Sequence, residues 1–379
     1  MVSHRLFVAL SYTLLLCSGA SAETDAKVGL PPTTYNYYVS PNGSDSAPGS
    51  KDQPFKTLAR AAMAATQQST TVWVAPGKYE GGIKTIANGS ASGRIYWVST
   101  AKWRAKIVPP ANSTTDSAWD NRGNYVSIIG FEVSGKKLGS GTLWRGGIYT
   151  GGSYSVIEGN HVHHVATTIP CTDTGGSAIG VDSYYKGVKG DVIGNRVHDV
   201  GPAGCGFVHG IYMSTSGSAK NNVAFRISGA AIHLWHDAKD LQIVNNTVSS
   251  SEVGIVVGGG DFYHDSSGAN NVHVHNNIVF DNTYGISEQG KTGAANTYRN
   301  NLVYQNDTYD WSLQNGLQHY DTVSANPLFV GYPAPKPDFH LTSSSPAIGH
   351  GLGTYAPPTD FDGKPRNQTT GYDIGAYQH

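Results

Sequence analysis

Residues 243–248 read IVNNTV: an apolar pair, two asparagines, then two β-branched residues. This stretch decides the fold because it recurs. VIEGNHV (156–162), VIGNRV (192–197), KNNVA (220–224), VHNNIV (274–279) and YRNNLV (298–303) align with it, placing Asn160, Asn195, Asn222, Asn246, Asn277 and Asn301 in one column, separated by 35, 27, 24, 31 and 24 residues. The shortest spacings give a basic coil, and the longer ones are coils with inserted loops. Three residues before each asparagine stand Ile157, Val192, Ala219, Ile243, Val274 and Tyr298; two after stand Val162, Val197, Ala224, Val248, Val279 and Val303. These columns are expected to point inward as a stacked apolar core, flanking a bend whose backbone the asparagine amides cap.

A second strand follows in each coil: SAIGVDS (177–183), HGIYMST (209–215), AAIHLWH (230–236), VGIVVGG (253–259) and YGISEQG (284–290). Ile179, Ile211, Ile232, Ile255 and Ile286 make a further inward column. Short strands stacked at a coil period describe a parallel β-helix solenoid, in which each coil buries its apolar side against its neighbours. A β-sandwich would not require a fixed register from asparagine to isoleucine. That lag is 19 and 16 residues in the first two coils and 10, 9 and 9 in the rest, so extra loops lie early. Cys171 and Cys205 fall in those two loops on adjacent coils, where a disulfide is geometrically reasonable.

Composition agrees. The 47 glycines and 22 tyrosines among 379 residues suit a turn-rich β protein and not a helical bundle. A net charge of −1 with 14% charged residues lacks the basic stripe of a nucleic-acid binder. Residues 1–22, a basic start, an apolar run and Ala20-Ser21-Ala22, have the layout of a secretory signal peptide, which would remove Cys17 and leave two cysteines. No later apolar stretch is long enough to span a bilayer. The expectation is an exported monomer, extracellular or, from a Gram-negative source, periplasmic. Its residues 23–379 would form one domain, with an N-terminal cap over about 35–70 and an irregular C-terminal cap over 326–379. Within the first cap, residues 52–65 are expected to form a helix with Asp52 as N-cap and Phe55, Leu58 and Ala62 on its buried face. The tail after Asn326 would cover the other end of the solenoid.

Both ends carry a family resemblance. YYVSPNGSDSAPGSKDQPFKTLARAA (37–62) with VWVAPGKYEGGI (72–83) resembles the opening of secreted right-handed parallel β-helix proteins of the pectate-lyase-like superfamily. NPLFV (326–330), DFHLTSSSPAIGHG (338–351) and DFDGKPRNQTTGYDIGAYQH (360–379) resemble its terminal segment. The resemblance implies carbohydrate chemistry on an all-β, right-handed solenoid: lyases of uronic acid polymers, glycoside hydrolases and uronate epimerases. The acidic calcium cluster of some pectate lyases is not evident as a short motif.

Side chains alternating with the isoleucines face outward. Tyr149, Gly180, Tyr212, His233 and Val256 follow the isoleucine by one position, counting Ile148; Asp182, Ser214, Trp235 and Gly258 follow by three; Ser177, His209 and Ala230 precede it by two. Asp182, His209, Tyr212, His233 and Trp235 thus share one face of three coils spaced by ~4.8 Å. Arg145, Lys186, His236 and Asp237 border it, with Tyr149 one coil earlier. β-Elimination must neutralise a uronate carboxylate, remove the adjacent proton and protonate the departing oxygen. Arg145 or Lys186 would supply the charge, His209 or His233 the base and Tyr212 the acid, while Trp235 stacks on a sugar ring. The plain alternative is a set of solvated polar residues on a binding surface. A glycoside hydrolase would instead draw paired carboxylates from Asp182, Asp237 and Asp261.

No organic cofactor is called for. His233, His236 and Asp237 make a weak metal set, and Asp261 and Asp265, with His264, are candidate calcium ligands in GGGDFYHDSSG (258–268). His163 and His198 share a column with Phe225 and Phe280, which reads as an aromatic stack in preference to metal ligands. The leading expectation is an exported lyase of an acidic polysaccharide, with a hydrolase, an epimerase or a non-catalytic carbohydrate binder as alternatives.

Overall fold

A computed structural model describes residues 29–136, 140–171, 175–369 and 371–379; the expected leader at 1–22 lies outside them. Among the described residues, three parallel sheets of 11, 9 and 9 strands run the length of the molecule, each strand pairing with its counterparts one coil away. The chain is a single-stranded right-handed parallel β-helix. The aligned columns hold residue for residue. On the first sheet Ile157 pairs with Val192, Val192 with Ala219, Ala219 with Ile243, Ile243 with Val274 and Val274 with Tyr298. On the third, Ile148, Ile179, Ile211, Ile232, Ile255 and Ile286 stack in order, with Trp119 at one end and Trp311 at the other.

The paired asparagines have a physical basis that alignment alone does not supply. The residue before each ladder asparagine takes a left-handed backbone: Gly159, Gly194, Asn221, Asn245, Asn276 and Asn300 have φ between 50° and 63°. Glycine and asparagine adopt that region at the least cost, which favours the recurring Gly-Asn or Asn-Asn. The ladder asparagine itself is buried. From Asn195 onward its Oδ1 accepts the backbone N–H and the amide of the asparagine one coil earlier, as from Asn195 to Asn222 at 2.9 and 3.0 Å, while Asn160 Oδ1 accepts the Phe131 N–H. Its own amide donates to a carbonyl, as from Asn222 to Val192 at 2.8 Å.

The N-terminal cap differs from expectation in detail. The helix is short, Leu58–Ala64, and Thr57 caps it through its hydroxyl; Asp52 does not. Asp45 explains the shift, because its carboxylate binds the Lys56 and Thr57 N–H groups and the Thr57 hydroxyl, so the helix starts there. Leu58 and Ala61 face the core, and Phe55 is buried just before the helix.

The tail also departs from expectation. It folds back along the flank, setting Phe339, Phe361 and Tyr377 on Val223 and Phe225, and Leu341, Ala347 and Ile374 on Ile278, Phe280 and Leu302. Buried Arg366 donates to Asn221 Oδ1 at 2.7 Å and to the Gly375 carbonyl at 3.0 Å, tying the tail to the coils. At the C-terminal end, Trp311, Leu313 and Leu317 pack against the core instead. The Cys171–Cys205 disulfide forms as expected, with Cα atoms 5.4 Å apart, and joins the two early loops.

Candidate active face of the third sheet

The outward register of the third sheet is as read: Asp120, Tyr149, Gly180, Tyr212, His233 and Val256 pair in sequence across successive coils. Gly180 leaves a one-residue gap between Tyr149 and Tyr212. The gap is narrow enough that a Cβ there would lie 3.4 Å from the Tyr149 ring.

His209 and His233 face each other from adjacent strands, Nε2 to Nδ1 at 2.9 Å. The Ala230 N–H donates to His209 Nδ1 at 3.2 Å. Nδ1 is therefore the unprotonated nitrogen, so His209 carries its proton on Nε2 and donates it to His233. The His233 proton is left on Nε2, a covered atom with no hydrogen-bond partner among the described residues. Burial pushes the His209 imidazole down to about 3 and pushes His233 in the same direction. Both stay neutral near neutral pH, and His233 presents a donor where a lone pair was expected.

Tyr212 stacks on His209, ring centroids 5.2 Å apart, and burial pushes its phenol above the usual range. Tyr149 donates to Asp182 Oδ2 at 2.9 Å, and Tyr184 N–H to Asp182 Oδ1 at 3.1 Å. Trp235 lies against glycine-lined backbone: a Cβ on Gly258 or Gly260 would sit 2.7 or 2.6 Å from its ring. Its Nε1 donates to Asp261 Oδ2 at 3.2 Å. One side of the indole is therefore spent on the next coil.

The remaining expected residues divide. The His236 ring is stacked on Tyr263 at 3.9 Å and is hydrogen-bonded to the Tyr263 hydroxyl and the Asp261 carbonyl. Asp237 takes the N–H groups of Tyr263, His264 and Asp265 and the Ser183 hydroxyl. Burial would raise its pKa, but the His264 N–H and the other donors prevail and hold it below the usual carboxylate range. Its role here is to organise the 261–265 loop. Arg145 donates to the Gly175 carbonyl at 3.3 Å at the strand entrance. Lys186 lines a cavity of about 470 Å³ on the loop side, with Ser183, Thr215, Asp237, Lys239 and Asp265; His209, Tyr212 and His233 are not among its lining residues.

The residue that sequence reading missed is Arg122. Its Nε and Nη2 bind both oxygens of Asp120, its guanidinium lies 3.5 Å from the centre of the Tyr185 ring and 4.9 Å from that of Tyr149, and its buried Nη1 has no partner among the described residues. The signal was available. Three positions after Trp119, Ile148 and Ile179 stand Arg122, Gly151 and Asp182, so the outward column simply starts two coils earlier. The expected calcium ligands do not form a cage: Asp265 is paired with Lys239, and Asp261 accepts from Trp235.

This fold is a right-handed parallel β-helix. Residues 111–248 match the family described as right handed beta helix region, and residues 41–85 match a protein family of unknown function, DUF1565. The chain is 26% identical to "Uncharacterized protein YwoF" of Bacillus subtilis (strain 168), over 75% of this chain and 72% of that one. Among solved structures it is similar to the pectate lyase Pel9A, with a TM-score of 0.61, 17% identity and coverage of 93% and 98% of the two chains. It is also similar to a glycoside hydrolase, with a TM-score of 0.55, 9% identity and coverage of 77% and 95%.

Proposed function

We propose that the protein is an exported polysaccharide lyase that binds a uronic-acid-containing chain across the third sheet and cleaves it by β-elimination. The observation that carries this reading is the register of Arg122, Tyr149 with Asp182, Tyr212, and His209 with His233 on successive coils of one face. The likeness to a pectate lyase supports the substrate class, and the disulfide suits an exported chain.

Arg122 offers a partnerless, buried N–H on a guanidinium held by Asp120, the feature a substrate carboxylate needs. His233 Nε2–H, with His209 as its positioning residue, lies four coils from Asp120, roughly 19 Å at ~4.8 Å per coil, so it would meet a neighbouring sugar unit and not that carboxylate. Once the carboxylate is neutralised, the neighbouring C–H proton is acidified, and Asp182, oriented by Tyr149, takes it. The electron pair left behind forms the double bond as the glycosidic C–O bond breaks. Tyr212, kept protonated by burial, gives its proton to the departing oxygen. A hydrolase reading is weaker, because Asp237 is held low and its oxygens are occupied, the reverse of what a glycosidase acid requires.

The test is kinetic. Asp182→Asn and Tyr212→Phe are each expected to lower kcat by about 10²–10⁴-fold. His209→Gln should act through His233, raising KM more than it lowers kcat. Full turnover in the folded Asp182→Asn and Tyr212→Phe proteins would overturn the assignment.

A further inference from the structure

We propose that Glu132, His161 and His163, on the outer face of the second sheet, form a binding site for a divalent transition-metal ion of the zinc type, separate from the third-sheet face. Glu132 lies on the strand Glu132–Ser134 and the two histidines on His161–His163, one coil later, with Glu132 paired directly to His161. One ligand atom from each residue lies within 4.8 Å of the other two, and this is the one such cluster of three among the described residues. Bound to a tetrahedral ion at the usual ~2.0–2.2 Å, ligand atoms stand roughly 3.3 Å apart. Closing the site therefore takes only side-chain rotation.

A second observation points to a ligand. His198, one coil further on, places Nε2 2.7 Å from His161 Nε2. Its Nδ1 donates to Asp199 Oδ2 at 2.6 Å, and Arg226 grips both Asp199 oxygens. That carboxylate fixes the His198 tautomer, so His198 Nε2 accepts from His161 and orients its ring. A chain of carboxylate, histidine and histidine ligand is the outer support that metal-binding imidazoles require. On the other side, His163 Nε2 faces Glu132 Oε1 at 3.0 Å and its Nδ1 faces His164 Nδ1 at 2.7 Å. An ion entering between Nε2 and Oε1 leaves the His163 proton on Nδ1, donated to His164, whose own proton moves to Nε2.

The ring stacking of His163 on His198, at 5.2 Å and 5°, and of His198 on Phe225, at 4.8 Å, uses only the ring faces, so an ion entering between His163 Nε2 and Glu132 leaves the stack in place. Two imidazoles and one carboxylate favour a borderline ion such as Zn²⁺ or Co²⁺ over calcium, whose sites are built from oxygens. In the metal-free chain Lys106 neutralises Glu132 at 2.6 Å, and its partly exposed side chain can leave to solvent.

The experiment is titration of chelator-treated, full-length protein with Co²⁺ and Zn²⁺, followed by calorimetry and by the visible absorption of bound Co²⁺. Ca²⁺ serves as the control ion. One ion per chain is expected to bind and to raise Tm in step with its concentration. His163→Gln and Glu132→Gln should each weaken binding by at least about 100-fold and Asp199→Asn by about 10–100-fold, while Lys106→Ala should tighten it. The Lys106→Ala arm tests the site even where a histidine variant fails to fold. Absence of one-to-one binding, binding unchanged in His163→Gln and Lys106→Ala, or preference for Ca²⁺ would overturn the proposal.

Discussion

Asn222 shows how much of this fold rests on single side chains. Its Oδ1 is the acceptor for two donors of Asn195, and its amide satisfies the Val192 carbonyl. Replacing it with alanine orphans buried groups on both sides, at about 1–3 kcal/mol for each unsatisfied group. Urea unfolding of Asn222→Ala should show a loss of roughly 2–4 kcal/mol, and a loss below the error of the measurement would refute the ladder's role. His209 gives a second residue-level prediction. Its folded pKa, about 3, lies below the roughly 6.5 of an unfolded histidine. Between those values the unfolded chain binds a proton that the folded chain excludes, so stability falls as pH drops from about 6.5 toward 3. The urea midpoint should follow that course, and His209→Gln should show a shallower slope. At this scale the sequence was readable wherever a column repeats, as with the asparagines and isoleucines. It was not readable where function depends on a proton: the His233 donor follows from the Ala230 N–H, a contact between neighbouring strands that no spacing reveals.

At the scale of elements, strand register was legible because the coils stack without slippage, but strict alternation breaks before the isoleucines: Val208 and Ile211, three apart, both face the core, which turns His209 outward. Loops and caps were less so. The helix start expected at Asp52 falls at Thr57 because Asp45 arrives from 11 to 12 residues upstream. Thr57→Ala should therefore destabilise the cap by about 1 kcal/mol in thermal unfolding, whereas Asp52→Ala should have little effect. The disulfide was legible from the position of both cysteines in the inserted loops of adjacent coils. It closes a separation of 34 residues, and its reduction should cost roughly 3–4 kcal/mol. Thiol titration before reduction should find neither of these cysteines free, and unchanged Tm after reduction would contradict a structural role.

At the scale of the molecule, the tail explains a pattern that runs along the second sheet. Early coils carry polar outward residues there, Glu132, His161 and Arg196, while later coils carry Val223, Phe225, Ile278, Phe280 and Leu302, with small Thr247 and Ser249 on the coil between. A strand apolar on both faces is buried on both faces, and the tail provides the second cover. That inference was open to sequence reading, but the tail's irregular course was not, since it has almost no periodicity to follow. Truncation after Asn326 should expose this apolar flank and produce aggregation or strong binding of a hydrophobic dye; a soluble, dye-silent truncated protein would contradict the flank packing. The central claim, that the third-sheet face performs β-elimination, is tested most directly by ultraviolet absorbance. The purified protein would be incubated with pectate, alginate, glucuronan and glycosaminoglycans, alongside Asp182→Asn and a reducing-end assay. Rising absorbance from an unsaturated uronate with at least one polymer, lost in Asp182→Asn, is the predicted result. New reducing ends without that absorbance would contradict it and identify a hydrolase.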